Sequence, residues 1–179
     1  MAFAKKMHGY SLYELIMTLG LAATVLTIGL PSFGNIVSNQ KLMTETNALF
    51  HAIHLARKES IVKRREVTLC PTANGNNCEP QLDWSSGWMM FVNIDRDRPA
   101  ERDINEPVLK RFEVNESVRI ESNRRSFSLR STELRATNGT LIFCDRNNRG
   151  TPRALVISYT GRPRTTYKDR SGKSVRCAR

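Results

Sequence analysis

Residues 9–33 read GYSLYELIMTLGLAATVLTIGLPSF. Glu14 is the last charge before Lys41, so the 26 residues from Leu15 to Gln40 carry none. The apolar part, Leu15 to Phe33, matches the roughly 20 residues that a membrane-spanning helix needs. Lys5 and Lys6 precede it, which places the N-terminus in the cytoplasm and the rest outside. A secretory signal would place a small-residue cleavage site after the apolar run. Here the run continues into further helix, which fits a retained anchor. A carboxylate at the head of such a helix, Glu14, either finds a partner charge or simply favours the positive end of the helix.

Outward from this stretch, the helix is expected to pass Pro31 with a kink and run to about Val62. Leu42, Leu49, Ile53 and Ala56 recur at helical spacing, with Lys41, Glu45, Arg57 and Lys58 between them. That amphipathic half is expected to lay one stripe on a domain. After Arg65 the period changes. Short runs rich in Val, Ile and Phe are separated by Asn, Gly, Pro and Asp. Strands are expected at 66–70, 87–94, 108–113, 118–121, 126–130, 140–144, 153–159 and 174–178. The fold class is therefore α+β: a long N-terminal helix, transmembrane then amphipathic, packed on a β-rich globular domain. The divisions are a leader at 1–9, a transmembrane half at 10–33, an amphipathic half at 34–63 and the β-rich domain at 64–179.

Composition argues against an enzyme. The 179 residues include only three His, and no HExxH, GxSxG, GxGxxG or CxxC occurs. Ser171-Gly172-Lys173-Ser174 contains Gly-Lys-Ser, but Tyr167 stands where a phosphate-binding loop needs its first Gly. His51 and His54 lack a carboxylate or Cys at matching spacing, so no metal is expected there. Asn93, Asp95 and Asp97 alternate as in a calcium loop, but Arg98 and Ile104 occupy the positions that need Gly and Glu. No cofactor is expected.

The four cysteines, Cys70, Cys78, Cys144 and Cys177, allow three pairings. A domain outside the cytoplasm permits their oxidation. Cys70–Cys78 would close the turn-rich loop Pro71-Thr72-Ala73-Asn74-Gly75-Asn76-Asn77, and Cys144–Cys177 would tie the C-terminal strand to an inner one. These two pairs are the expected ones.

The formal charge is +11, which favours polyanions such as nucleic acid or anionic lipid. From Gly161 to Arg179 seven Lys or Arg stand against one Asp. They are Arg162, Arg164, Lys168, Arg170, Lys173, Arg176 and Arg179, against Asp169. Arg146, Arg149 and Arg153 lie upstream. Arginine grips phosphate oxygens with a planar fork. Gly161 suits a tight turn that would project Arg162 and Arg164 from one exposed loop, and Tyr159 and Tyr167 flank it as surfaces for unpaired bases.

Gly9-Tyr10-Ser11-Leu12-Tyr13-Glu14 resembles the leader junction of type IV pilins and pseudopilins. The resemblance implies that a prepilin peptidase cuts after Gly9 and methylates Tyr10, and that Glu14 pairs with the N-terminal amine of a neighbouring subunit during assembly. Tyr10 and Tyr13 depart from the usual Phe and aliphatic residue. Cleavage removes Lys5 and Lys6 and takes the charge from +11 to +9. The resemblance also implies a single-pass inner-membrane protein with a periplasmic domain, later part of a pilus at the cell surface, with other pilins as partners.

Further motifs resemble the GspH/FimT group of minor pilins. They are Arg57-Lys58-Glu59-Ser60, Val67-Thr68-Leu69-Cys70-Pro71, Gly87-Trp88-Met89-Met90-Phe91-Val92 with Asp95-Arg96-Asp97, Glu106-Pro107-Val108-Leu109, and Gly139-Thr140-Leu141-Ile142-Phe143-Cys144. Within that group, Gly161-Arg162-Pro163-Arg164 is similar to the Gly-Arg-x-Arg motif of the FimT-like branch, which binds DNA during natural transformation. The resemblance implies DNA binding through Gly161, Arg162, Arg164, Lys168, Arg170 and Lys173. The alternative is a structural GspH-like or FimU-like subunit that primes or caps a pilus or a type II secretion pseudopilus.

Overall fold

The computed structural model describes residues 9–130, 136–168 and 172–177, and for 28–32 the backbone alone. The chain divides into two units, Met1–Val37 and Ser38–Arg179. Helix α1 covers Leu12–Lys63. Ser11 starts it: its Oγ accepts the Glu14 N–H at 3.2 Å. Ser and Glu three apart are the capping-box spacing, and a carboxylate in the first turn suits the helix dipole. Pro31 does not end the helix. Arg64, at φ 52°, closes it in the left-handed conformation.

In the first unit the large apolar side chains Leu15, Ile16, Leu19, Val25 and Leu26 are exposed. The Thr18, Thr24 and Thr27 hydroxyls donate to the carbonyls of Leu15, Leu21 and Thr24 at 2.8–2.9 Å. Among the described residues, no helix is long and apolar enough to cross a membrane. The stretch expected to span, 15–33, includes residues 28–32, which are described by backbone alone.

The second unit is built on two antiparallel sheets. The first has the order β3-β2-β1-β5, with β1 at Glu66–Pro71, β2 at Trp88–Asn93, β3 at Val108–Phe112 and β5 at Phe127–Leu129. The second has the order β4-β6-β7-β8, with β4 at Val118–Ser122, β6 at Gly139–Asp145, β7 at Arg153–Ile157 and β8 at Pro163–Thr166. The inner faces of both sheets and the stripe Leu42, Leu49, Ala52, Ile53 and Ala56 of α1 share one core with Val67, Leu69, Met90, Ile120, Phe143 and Leu155. β1 and β2 are buried on both faces. Their second face carries Cys70, Met89 and Phe91, covered by Cys78 and Val108. The Cys70–Cys78 disulfide holds that cover in place.

Two expectations are corrected. The segment at 174–178 is not a strand; Ser174 makes a single bridge to Lys168, and residue 178 lies outside the described residues. The eighth strand is Pro163–Thr166 instead. Its Pro-Arg-Thr-Thr sequence has no apolar alternation to mark it, and a proline is tolerated at the first residue of an edge strand. Glu45, expected among the exposed charges of α1, is buried. Its Oε1 accepts the Asn115 N–H at 3.2 Å. Burial pushes its carboxyl above the usual range, against the lowering effect of that hydrogen bond. The loop at 95–106 is largely exposed but turns one carboxylate inward. Glu106 is buried and accepts the Ile94 and Asp103 amides. Among the described residues no three His, Cys, Asp or Glu gather to hold a metal ion.

Glu66 is a further buried carboxylate and sits at a junction. Its side chain is 1% exposed. Oε2 accepts from Arg130 Nε at 2.6 Å and Oε1 from Arg98 Nη2 at 2.5 Å, tying β1 to the end of β5 and to the loop at 95–106. Burial pushes the carboxyl up, but hydrogen bonds from Arg130, Ser128 and Arg98, with the Arg98 charge, outweigh it and hold the group below its ordinary range. Hydrogen bonds to charged groups contribute about 1.5–3 kcal/mol, so Glu66→Gln should cost about 2 kcal/mol at neutral pH. A carboxyl with a lowered folded pKa stabilises fully above its unfolded pKa. That contribution is lost as pH falls through the folded value. In urea melts the gap between wild type and Glu66→Gln should be widest near pH 7 and close in acid. A gap of constant width would contradict the clamp.

Candidate nucleic-acid interface

β7 and β8 form a hairpin in which Ile157 pairs with Pro163 and Val156 with Arg164. The Ser158 N–H donates to the Arg162 carbonyl at 3.1 Å, and the Gly161 N–H to the Ser158 carbonyl at 2.9 Å. The turn Tyr159-Thr160-Gly161 is a three-residue hairpin loop ending in the left-handed conformation. Gly161 has φ 70°. A Cβ there would lie 2.9 Å from Leu129 Cδ2, 3.3 Å from Ala136 Cβ and 3.4 Å from Arg57 Nη1. Both the backbone angle and the space therefore require glycine.

The motif is thus not one projecting loop. Gly161 is buried against β5, Arg162 is the exposed residue that leaves the turn, Pro163 is buried, and Arg164 is exposed on β8. Alternate residues of a strand face opposite ways, so the buried proline sets the two arginines on the opposite side from the core.

Arg164 opens onto a groove on the outer face of the second sheet. Thr140 and Ile142 of β6 and Ala154 and Val156 of β7 form its floor, and the segment Lys173–Arg176 forms a wall. Its volume is about 780 Å³. Arg164, Lys168, Lys173 and Arg176 line it, and no carboxylate does so among the described residues. The wall has three fastenings. Cys177 is bonded to Cys144 of β6. The Val175 N–H donates to the Tyr167 carbonyl at 2.9 Å. The Val175 side chain is buried.

Arg164, Lys168 and Lys173 are therefore brought together, while Gly161 and Arg162 sit at the hairpin turn and not in the groove lining. Arg170 lies outside the described residues, as do Asp169 and Arg179. Arg153 places its guanidinium 5.2 Å from the centre of the Tyr167 ring, so one of the two tyrosines offered to bases already has a cation on it. Tyr159 is exposed on the turn, and Arg146 and Arg149 are exposed between β6 and β7. Two cations stand outside the set that the resemblance implies, although Arg176 is counted in the C-terminal cluster. Arg176 adjoins Cys177, and a residue beside a disulfide cysteine is held in place, a signal that was available. Arg57 reaches the Gly161 turn only because α1 packs beside it, and nothing local marks that.

At the other end, Gly9 and Tyr10 lie outside α1 and are exposed. Glu14 is exposed on the first turn. The leader residues 1–8, Lys5 and Lys6 included, lie outside the described residues.

Chain-entropy reasoning puts the Cys144–Cys177 cross-link at about 4 kcal/mol and Cys70–Cys78 at about 2.5 kcal/mol. A Cys144→Ser, Cys177→Ser double variant should keep both sheets but release the wall. Trypsin should then cut after Lys168 and Lys173 at least about tenfold faster, as expected for a terminal segment no longer tied down. Equal cleavage rates would mean that Val175 and the backbone bonds suffice to hold it.

The architecture is similar to known folds. The type IV minor pilin FimU of Pseudomonas aeruginosa superposes with a TM-score of 0.53 at 16% identity, covering 74% of this chain and 96% of that one. The minor pseudopilin EpsH from the Type 2 Secretion System of Vibrio cholerae superposes with a TM-score of 0.50 at 8% identity, covering 70% and 96%. Identities this low carry the fold alone. No curated protein sequence matches the chain. Residues 45–161, well over half of the chain, match the family described as Type II transport protein GspH. That match runs from the buried half of α1 through both sheets to the Gly161 turn, and the chain belongs to the GspH family.

Proposed function

We propose that this chain is a non-enzymatic minor pilin that captures DNA through its basic C-terminal region. One observation carries the reading. The second sheet gathers Arg164, Lys168, Lys173 and Arg176 around a groove free of carboxylates among the described residues, with Arg162 exposed at the adjoining turn. Cations fixed on a sheet and a disulfide-tied segment are pre-arranged for phosphates. A basic tail kept only for solubility needs no such fastening.

Phosphate binding releases condensed counterions, so log affinity should fall with log salt by about 0.9 per phosphate neutralised on duplex DNA. Four engaged cations give a slope of about −3 to −4. Binding should depend little on sequence, because phosphate contacts position rather than specify. Arg162→Gln with Arg164→Gln should weaken binding by the full-length protein about tenfold, on the order of 1.4 kcal/mol. Both side chains are exposed, so melting should be little changed. Transformation should drop while filament assembly continues. An unchanged DNA affinity at moderate salt would favour the second reading, a structural subunit of a pilus or secretion pseudopilus. That reading is supported by the GspH match and by the likeness to a type IV minor pilin and a minor pseudopilin.

The N-terminal unit is proposed to serve assembly in either case. An α1 half with its apolar residues exposed all round requires a lipid or protein environment. Inner-membrane anchoring, with the second unit periplasmic, and later packing among other pilins would provide both. Prepilin peptidase is proposed to cut the exposed Gly9–Tyr10 bond and methylate Tyr10, and Glu14 to pair with a neighbour's amine. Mass spectrometry of the assembled subunit should find an N-terminal peptide starting at methylated Tyr10. A peptide that still carries Met1 would refute the processing.

A further inference from the structure

We infer that the groove on the outer face of the second sheet seats unpaired nucleotides, so that the site takes single-stranded DNA in preference to duplex; this rests on the DNA-capture reading above. The argument comes from the floor, not the rim. A duplex keeps its bases stacked inside and offers phosphates and groove edges, and a protein needs only a basic surface to bind it without sequence preference. Here the cations instead surround an aliphatic floor. Ile142 and Val156 are partly exposed, and Ala154 and Val175 lie buried beside them. Aliphatic surface left open to water on a sheet face is unfavourable until something apolar covers it.

An unpaired nucleotide carries both chemistries in one repeat: a flat base that leaves water readily and a phosphate that meets a cation. Single-strand sites combine a cationic groove with aromatic surfaces on which bases stack, unpaired bases are also held against apolar side chains, and sheet faces are among the platforms used. The volume of about 780 Å³ falls among sites of about 300–1,000 Å³ that enclose small molecules. It has room for one or two nucleosides, whereas a duplex cannot enter. The cations sit around that volume on β8, after β8 and on the wall. A strand whose bases lie on Ile142 and Val156 thus has cations within its backbone's reach. The wall is bonded to β6 through Cys144, so the groove keeps its shape before a ligand arrives.

The test uses the full-length protein in nonionic detergent and fluorescence anisotropy with a labelled mixed-sequence 20-mer and its duplex at equal salt. The single strand should bind about fivefold tighter or more, with a shallower salt slope per phosphate, about 0.7 against 0.9. Ile142→Ala and Val156→Ala should each weaken the single strand about threefold or more and shift the duplex less than about twofold, because only the strand places bases on the floor. Both residues face away from the core. If either variant misfolds, the wild-type comparison alone decides. A duplex bound as tightly as the strand, or alanine variants that shift both ligands alike, would overturn the inference and leave DNA capture standing. Displacement of the strand by polyglutamate as readily as by unlabelled strand would assign the groove to acidic peptides and overturn it. Failure to bind either form of DNA would overturn both readings.

Discussion

The second unit depends on one face of α1. Leu42, Leu49, Ala52, Ile53 and Ala56 are almost wholly buried, and they meet the inner faces of both sheets at once. Two four-stranded antiparallel sheets have no continuous ladder between them. Each would expose an apolar face if the helix were removed. Burial of that stripe, at about 25 cal/mol per Å² of apolar surface, turns two sheets into one domain. The cost is visible at Glu45, which lies on the buried side with one carboxylate oxygen, Oε2, lacking a hydrogen-bond partner.

Once the inner faces are committed to the helix, the outer faces differ. On the first sheet the Cys70–Cys78 loop covers the outer apolar residues and makes a second small core. On the second sheet the C-terminal segment is tied at Cys144 but covers the sheet only in part. The uncovered part is the groove. The same device, a disulfide-held segment over a sheet face, closes one surface and shapes a binding surface on the other.

The charge distribution follows the same division. Carboxylates are drawn into the domain's own contacts. Glu66 holds Arg98 and Arg130, Glu106 accepts backbone amides of its loop, and Asp145 caps the turn before β7. The C-terminal region keeps its cations at the surface with few acids beside them. A formal charge of +11 thereby becomes a local field around β8 and the wall.

Sequence alone determined the elements whose signals are local. The uncharged run places the helix, the spacing of Leu42, Leu49, Ile53 and Ala56 names its buried stripe, and runs rich in Val, Ile and Phe mark seven of the eight strands. The disulfide pairs could also be argued from what each loop encloses. Tertiary structure decided what depends on residues far apart in the chain. β8 is a strand because Pro163–Thr166 lies beside β7, although its own residues carry no period. Glu45 and Glu66 read as ordinary charges until packing buries them. Arg162 and Arg164, two apart in the motif, are divided between a turn and a strand because Gly161 docks against Leu129. The groove exists only where β6, β7, β8 and the Cys177 segment meet. Period and spacing report a residue's near neighbours, whereas burial and site geometry are set by contacts across sheets.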